Sequence, residues 1–246
     1  MDPLDFAGRA VVVTGGTRGI GASIARAFRA AGADVLVCGR TASGTDAGVV
    51  RADVRDPAQA AMLIKTAADR FGRLDVLINN AGGGPEAPAA SASPRLHAKV
   101  IELNLIAPLH VSQAANAVMR EQATGGVILM IGSVSGTRPS PGTAAYGAAK
   151  AGLHHLATSL AAEWAPRVRV NSLVVGPVAS AVTPELVSRT VPMGRPAAAE
   201  EVASACLLLA SPLAGYISGA SLAVHGGGEW PAYLADLRDT AYRAQK

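Results

Sequence analysis

Short runs of β-branched and aliphatic residues recur along this chain, and each is followed by a longer, Ala-rich stretch of helical character. The runs are Ala10 to Thr14, Asp34 to Cys38, Gly48 to Ala52, Asp75 to Asn79, Gly126 to Gly132, Val168 to Leu173 and Ser221 to Val224. Near-continuous apolar runs belong to strands buried on both faces, as in a parallel sheet covered by helices. The intervening stretches predict helices near Ile20 to Ala31, Pro57 to Phe71, Pro94 to Gln122, Tyr146 to Ala165 and Ala199 to Ala210. Strand and helix alternate without a linker, repeat or charge block, which predicts an α/β fold with one doubly wound parallel sheet of about seven strands. Gly32, Gly72 and the pair Gly125 and Gly126 follow three of these helices, where a residue of positive φ would end them.

Composition narrows the class of protein. A chain of 246 residues is long enough to bury one sizeable core, so a single domain spanning 1–246 is expected. Half the residues are hydrophobic and 16% are charged, which excludes a disordered chain. No apolar stretch approaches the roughly 20 residues needed to span a bilayer, and the start "MDPLDFAGR" lacks signal-peptide character. The expectation is a cytoplasmic protein with no membrane partner. Cys38 and Cys206 lie in apolar segments and are expected to be buried and unlinked. The formal charge is +4, yet the basic residues are scattered and aromatic residues make up only 4%, so a nucleic-acid partner is not expected.

Candidate chemistry begins at "TGGTRGIG", Thr14 to Gly21, directly after the first apolar run. Glycines here serve either a turn that is merely tight or one that lets an anion approach backbone amides at a helix start, as in a Rossmann-like dinucleotide site. In the second reading Gly15 makes the turn, Gly19 admits the phosphate, and Gly21 lets the helix pack on its strand, with Thr17, Arg18 and Ile20 between them. At the end of the second run, in "VLVCGRTAS", Gly39 stands where a carboxylate for a free ribose 2′-hydroxyl would be expected, with Arg40 next. Arg40 and Arg18 suit a 2′-phosphate. NADP(H) is therefore the preferred cofactor and NAD(H) the alternative.

Further along, "YGAAK" sets Tyr146 and Lys150 four residues apart on one helix face, with Ser133 upstream at a strand end. Together with "TGGTRGIG", "NNAG" at Asn79 to Gly82 and "ELNL" containing Asn104, these motifs resemble the short-chain dehydrogenase/reductase family, and the likeness runs to the final "YISGASLAVHGGG". The resemblance implies an oxidoreductase moving hydride between nicotinamide and a carbonyl or secondary alcohol. It implies that Tyr146 is the acid/base, that Lys150 supports it and holds the nicotinamide ribose, that Ser133 orients the carbonyl, and that Asn104 links Lys150 to a proton relay. It also implies that Asp53, with Val54 beside it, contacts adenine, that Asn80, Ala81 and Gly82 flank the adenosine ribose, and that Gly176 and Val178 meet the nicotinamide end. A tyrosine has an ordinary pKa of about 10, so Lys150 together with the cationic ring of oxidised nicotinamide is expected to lower it.

The chain departs from the family pattern in places. Val175 replaces a common proline, and His225 stands where aspartate is frequent, with a structural use expected for it. His97, His110, His154 and His155 lack metal-ligand spacing, so no metal is expected. Gly83, Gly84 and Pro85, with residues 134 to 145, are expected to line a roomy substrate pocket under a short lid, "SAVTPELVSRTVPMGRP". "PGTAAYGAAKAG" is especially similar to ketoacyl-thioester reductases, in which case Arg138, Arg189 or Arg195 would face an acidic carrier. A homotetramer, or a homodimer, is implied as well. In the extension 229–246, Trp230, Leu234 and Leu237 recur at near-helical spacing, suggesting a short amphipathic helix that packs near a neighbouring pocket. The rival class is a dinucleotide-binding sensor without turnover, for which a complete Ser133, Tyr146 and Lys150 set would serve no purpose.

Overall fold

A computed structural model describes residues 2–41, 48–179 and 184–229. The seven runs form β1 (Ala10–Thr14), β2 (Asp34–Gly39), β3 (Val49–Arg51), β4 (Val76–Asn79), β5 (Gly126–Ile131), β6 (Val168–Val175) and β7 (Ser221–Val224). They make one sheet in the order β3-β2-β1-β4-β5-β6-β7, with every neighbouring pair parallel. The helices are α1 (Gly19–Ala30), α2 (Pro57–Phe71), α3 (Pro94–Ile101), α4 (Ala107–Met119), α5 (Ala144–Trp164), the short α6 (Pro184–Val187) and α7 (Ala199–Ala210).

Alternate residues of each strand feed opposite layers. In β1, Val12 packs with residues of α2, α4 and α5, while Val11 and Val13 pack with α1 and α7. A strand covered on both faces has no polar side, which is why these runs lack polar alternation. Side chains such as Ile24, Phe28, Leu63 and Ile128 are fully buried, each contributing about 1.5–3 kcal/mol of transfer free energy. Cys38 and Cys206 lie in opposite layers, unlinked and buried. Burial pushes the Cys38 thiol up to about 11 and the Cys206 thiol higher still.

Several boundaries differ from expectation for identifiable reasons. The single helix expected over Pro94 to Gln122 is α3, a π-helical turn at Glu102–Ile106, and α4. Pro108 has no amide to give the carbonyl of Asn104 four residues earlier, and Ala107 N–H reaches back instead to Glu102 O. β6 runs two residues past Leu173 because Val174 and Val175 pair with Ala223 and Val224 of β7. Gly32, Gly72 and Gly125 adopt positive φ as expected, but Gly126 does not; it opens β5. The extension carrying Trp230, Leu234 and Leu237 lies outside the described residues, as does part of the lid.

The strand order reverses between β1, which continues outward to β2 and β3, and β4, which continues to β5, β6 and β7. A crevice above the carboxyl ends of strands is the expected ligand position at such a reversal.

Candidate active site

Thr14, at the tip of β1, organises the crevice. Its Oγ1 accepts the backbone N–H groups of Asn80 and Ala81, both at 3.0 Å, and donates to Ile78 O at 3.3 Å. The Asn80 side chain donates back to Thr14 O at 2.9 Å and Gly15 O at 3.1 Å, stapling the glycine turn to the end of β4. Backbone conformation and close contacts call for glycine in this turn. Gly15 has φ +62°, and an added Cβ at Gly21 would collide with Gly15 O and the Asn80 amide. At Gly19, with φ +55°, a Cβ would meet nothing within 4 Å, so the backbone there borders open space. The first turn of α1 holds no acidic residue, and its capping residue Arg18 supplies no side-chain bond to the free amides. Such a helix start favours an anion.

From this turn a cavity of about 660 Å³ runs over the sheet edge. One end is walled by Gly15, Thr17, Arg18, Gly19, Ile20 and Gly21, with Cys38, Gly39, Arg40, Asp53 and Val54 beside them. Asn80, Ala81 and Gly82 form the middle, and Ser133, Tyr146, Lys150, Gly176 and Val178 form the far end. Arg18 and Arg40 are exposed and form no salt bridge among the described residues. Asp53 is held by the guanidinium of Arg55, which keeps its carboxyl below the usual range. The elongated shape, the open glycine backbone and the uncapped helix start fit a dinucleotide.

At the far end, Lys150 of α5 is buried, and its Nζ donates to Ile131 O at 2.8 Å. Burial lowers its pKa to about 8. The ammonium lies 5.6 Å from the Tyr146 ring centroid. Tyr146 itself is shifted upward by burial, and its hydrogen bond with Ser133 pulls it partly back. Without a cofactor in the cavity, burial therefore sets the direction of the Tyr146 shift. Ser133 also caps the short 3₁₀ turn Val134–Gly136 by accepting from Ser135 N at 3.1 Å.

Asn104 stands behind this end, fully buried and outside the cavity wall. Its amide donates to Gly83 O at 2.8 Å and Val100 O at 2.9 Å, and its Oδ1 accepts from Gly83 N at 2.9 Å. A Cβ on Gly82 would sit 2.8 Å from Asn104 Oδ1 and 3.2 Å from Lys150 Nζ, so these three residues converge.

A family model described as enoyl-(acyl carrier protein) reductase matches residues 15–229. The chain is 35% identical over 242 residues to the 3-oxoacyl-(acyl-carrier-protein) reductase FabG of Escherichia coli, covering 91% of this chain and 98% of the relative. It belongs to the short-chain dehydrogenase/reductase family. A 3alpha-hydroxysteroid dehydrogenase of Mediterraneibacter gnavus is 33% identical over 240 residues, covering 89% of this chain and 96% of the relative. The crystal structure of a short-chain dehydrogenase/reductase of the glucose/ribitol dehydrogenase type from Brucella melitensis superposes with a TM-score of 0.84 at 28% identity, covering 91% of this chain and 97% of the other. These relatives make this short-chain dehydrogenase/reductase an oxidoreductase, and the Rossmann-like sheet agrees with theirs.

In this family member every expected cofactor residue borders the one cavity. Of the expected substrate wall only Gly83 does so. Gly84 faces Val100, and the loop 134 to 145 stands outside, tied to the opposite rim where Ala87 N donates to Gly142 O at 2.8 Å. Cavity residues that the motifs did not single out include Cys38, Ala52, Leu103, Ile131 and Gly132. Their signal was positional, since each lies at a carboxyl end of a strand or on the helix that follows. His225 packs its Cα and Cβ against Gly176, where a Cβ would come within 2.8 Å, and its Nδ1 has no hydrogen-bond partner among the described residues. No group of three or more His, Cys, Asp or Glu side chains suited to a metal occurs among the described residues, and no helix there is long and apolar enough to cross a membrane.

Proposed function

We propose that this oxidoreductase is an NADP(H)-dependent carbonyl reductase or alcohol dehydrogenase whose whole chain forms one cofactor-binding and catalytic domain. The observation that carries the reading is one cavity lined both by Arg18 and Arg40, which form no salt bridge among the described residues, and by Ser133, Tyr146 and Lys150. The nicotinamide cofactor supplies hydride transfer when bound. Arg18 and Arg40 would hold its 2′-phosphate, Gly39 presenting no carboxylate to repel it. Asp53, Val54 and the Asn80 to Gly82 segment would border the adenosine, and Gly176 and Val178 the nicotinamide end.

A phenol is protonated at neutral pH, and burial shifts Tyr146 further in that direction, so it is ready to donate to a carbonyl oxygen that gains negative charge. Ser133 adds a second donor to that oxygen, and two preorganised donors aimed at developing charge supply much of the rate. Lys150, fixed by Ile131 O, places positive charge beside the phenol. Asn104, one turn before Pro108, has a backbone carbonyl that receives no helical bond from that proline, which leaves it able to take a water leading toward Lys150.

An untethered small carbonyl compound is favoured as substrate. Arg138 is already paired with Glu229 at 2.7 Å, and Arg195 grips Glu201 with two bonds of 2.7 Å, so neither is poised for an acidic carrier. A homotetramer or homodimer in the cytoplasm fits the family; exposed Leu208, Leu213, Tyr216 and Ile217 near the edge strand β7 support association. Fluorescence titration with NADPH and NADH tests the cofactor. NADPH is expected to bind at least about tenfold tighter, and Arg40→Asp to reverse the order by removing a bond worth 1.5–3 kcal/mol. An unchanged ratio in the variant would reject Arg40 as the phosphate ligand.

A further inference from the structure

One buried polar chain remains unused by this reading. His154 lies on α5 one turn beyond Lys150, so Tyr146, Lys150 and His154 form one stripe under the end of β5. Its Nε2 lies 3.2 Å from the backbone carbonyl of Ser133 and its Nδ1 lies 2.9 Å from Ser172 Oγ. Ser172, fully buried on β6, is in turn 2.8 Å from Ser221 Oγ on β7, which reaches the surface. Between the two α5 contacts, Lys150 holds Ile131 O and His154 holds Ser133 O, bracketing Gly132. Gly132 must be glycine here, because a Cβ would overlap the His154 ring.

The direction of this chain follows from its last member. A carbonyl can only accept, so Nε2 carries the proton. The neutral ring then has Nδ1 free to accept from the Ser172 hydroxyl, whose oxygen accepts from Ser221. Burial and the Lys150 charge both lower the His154 pKa, keeping the ring neutral at pH 7. Because a backbone carbonyl cannot pass a proton onward, the chain does not relay protons to the site. It ends on the backbone of Ser133.

We propose that His154, oriented by Ser172 and Ser221, is a positioning residue that sets the backbone of Ser133 and thereby aims its hydroxyl at the substrate carbonyl. The proposal rests on the catalytic reading of Ser133 and Tyr146. Misplacing one donor of a two-donor site by about 1 Å costs up to about a hundredfold in rate without weakening cofactor binding.

Three variants test it: His154→Leu, which removes both ring bonds; His154→Gln, whose amide can still donate to Ser133 O; and Ser172→Ala, which removes only the donor that orients the ring. NADPH-driven turnover would be followed with the best carbonyl from a panel of small ketones, alongside the NADPH Kd and the melting temperature. In His154→Leu, kcat is expected to fall about tenfold to a hundredfold with the NADPH Kd within about twofold, and His154→Gln to recover most of the loss. Ser172→Ala should lower kcat in the same direction and covers the case in which His154→Leu does not fold. Wild-type kcat in a folded His154→Leu or in Ser172→Ala overturns the proposal, as does a Gln variant no better than Leu at equal stability. A Tyr146→Phe control run in parallel separates the two claims: full turnover in that control sinks the catalytic reading, whereas a dead control beside an active His154→Leu sinks the positioning role alone.

Discussion

Gly82→Ala perturbs the site from behind rather than at the reacting groups. The new methyl would lie 2.8 Å from Asn104 Oδ1 and 3.2 Å from Lys150 Nζ. Neither neighbour yields freely: the Asn104 side chain makes three hydrogen bonds, of 2.8 to 2.9 Å, and Lys150 is fixed on Ile131 O at 2.8 Å. Overpacking of this kind costs typically 1–3 kcal/mol, and displacing Asn104 from even one partner adds about 1 kcal/mol. A loss of about 2–4 kcal/mol in a chain of this length lowers the melting temperature by roughly 4–16 °C. Lys150 would shift by a few tenths of an ångström to one ångström, for which a kcat loss of at least about tenfold is expected. Calorimetry and steady-state turnover with NADPH measure both effects on one preparation. A variant with unchanged melting and unchanged kcat would show that Gly82, Asn104 and Lys150 do not form the tight junction described.

Asp75, at the opposite end of β4, offers a pH test of the fold. It accepts from Arg9 at 2.9 Å, from Arg73 at 2.6 and 2.7 Å and from Ala10 N at 2.9 Å, and these bonds hold its carboxyl below the ordinary range despite burial. The stabilisation is therefore complete above the unfolded value of about 3.9 and is lost as pH falls through the lower folded value. Asp75→Asn is expected to cost about 2 kcal/mol at pH 7, discounted because both arginines reach water, with the gap to wild type closing under acid; a gap that persists undiminished well below pH 3 refutes the assignment. Lys150, lowered to about 8, loses its charge as pH rises through that value in the cofactor-free protein, while Tyr146 keeps its proton. The reductive kcat/KM, which reports the free enzyme, is expected to fall above about pH 8, and a profile flat to pH 9.5 would deny Lys150 its electrostatic role.

The sheet was legible because both-face burial leaves an unmistakable mark: Val11, Val12 and Val13 are all apolar although they serve two layers. The cofactor end was legible from glycines whose φ or close contacts tolerate no side chain, as at Gly15 and Gly21. What escaped the sequence reading were effects of spatial neighbours. Thr14 reads as the last residue of a strand, yet its hydroxyl gathers the Asn80 and Ala81 amides just beyond β4, 66 and 67 residues away. The break of the long helix at Asn104 was readable in principle from Pro108 four residues later, but apolar periodicity continues through it. The direction of the Tyr146 shift depends on how dry the cavity is, which spacing along α5 does not reveal. His154 passed as a histidine without metal spacing because its partners lie on β5 and β6.

In the proposed function Tyr146 carries the proton while the rest of the cavity carries the cofactor. Tyr146→Phe separates the two roles, since it removes one hydroxyl and leaves the ring and every cofactor-lining residue in place. Its kcat is expected to fall by at least about a hundredfold with the NADPH Kd nearly unchanged; turnover at the wild-type rate would remove Tyr146 from proton transfer.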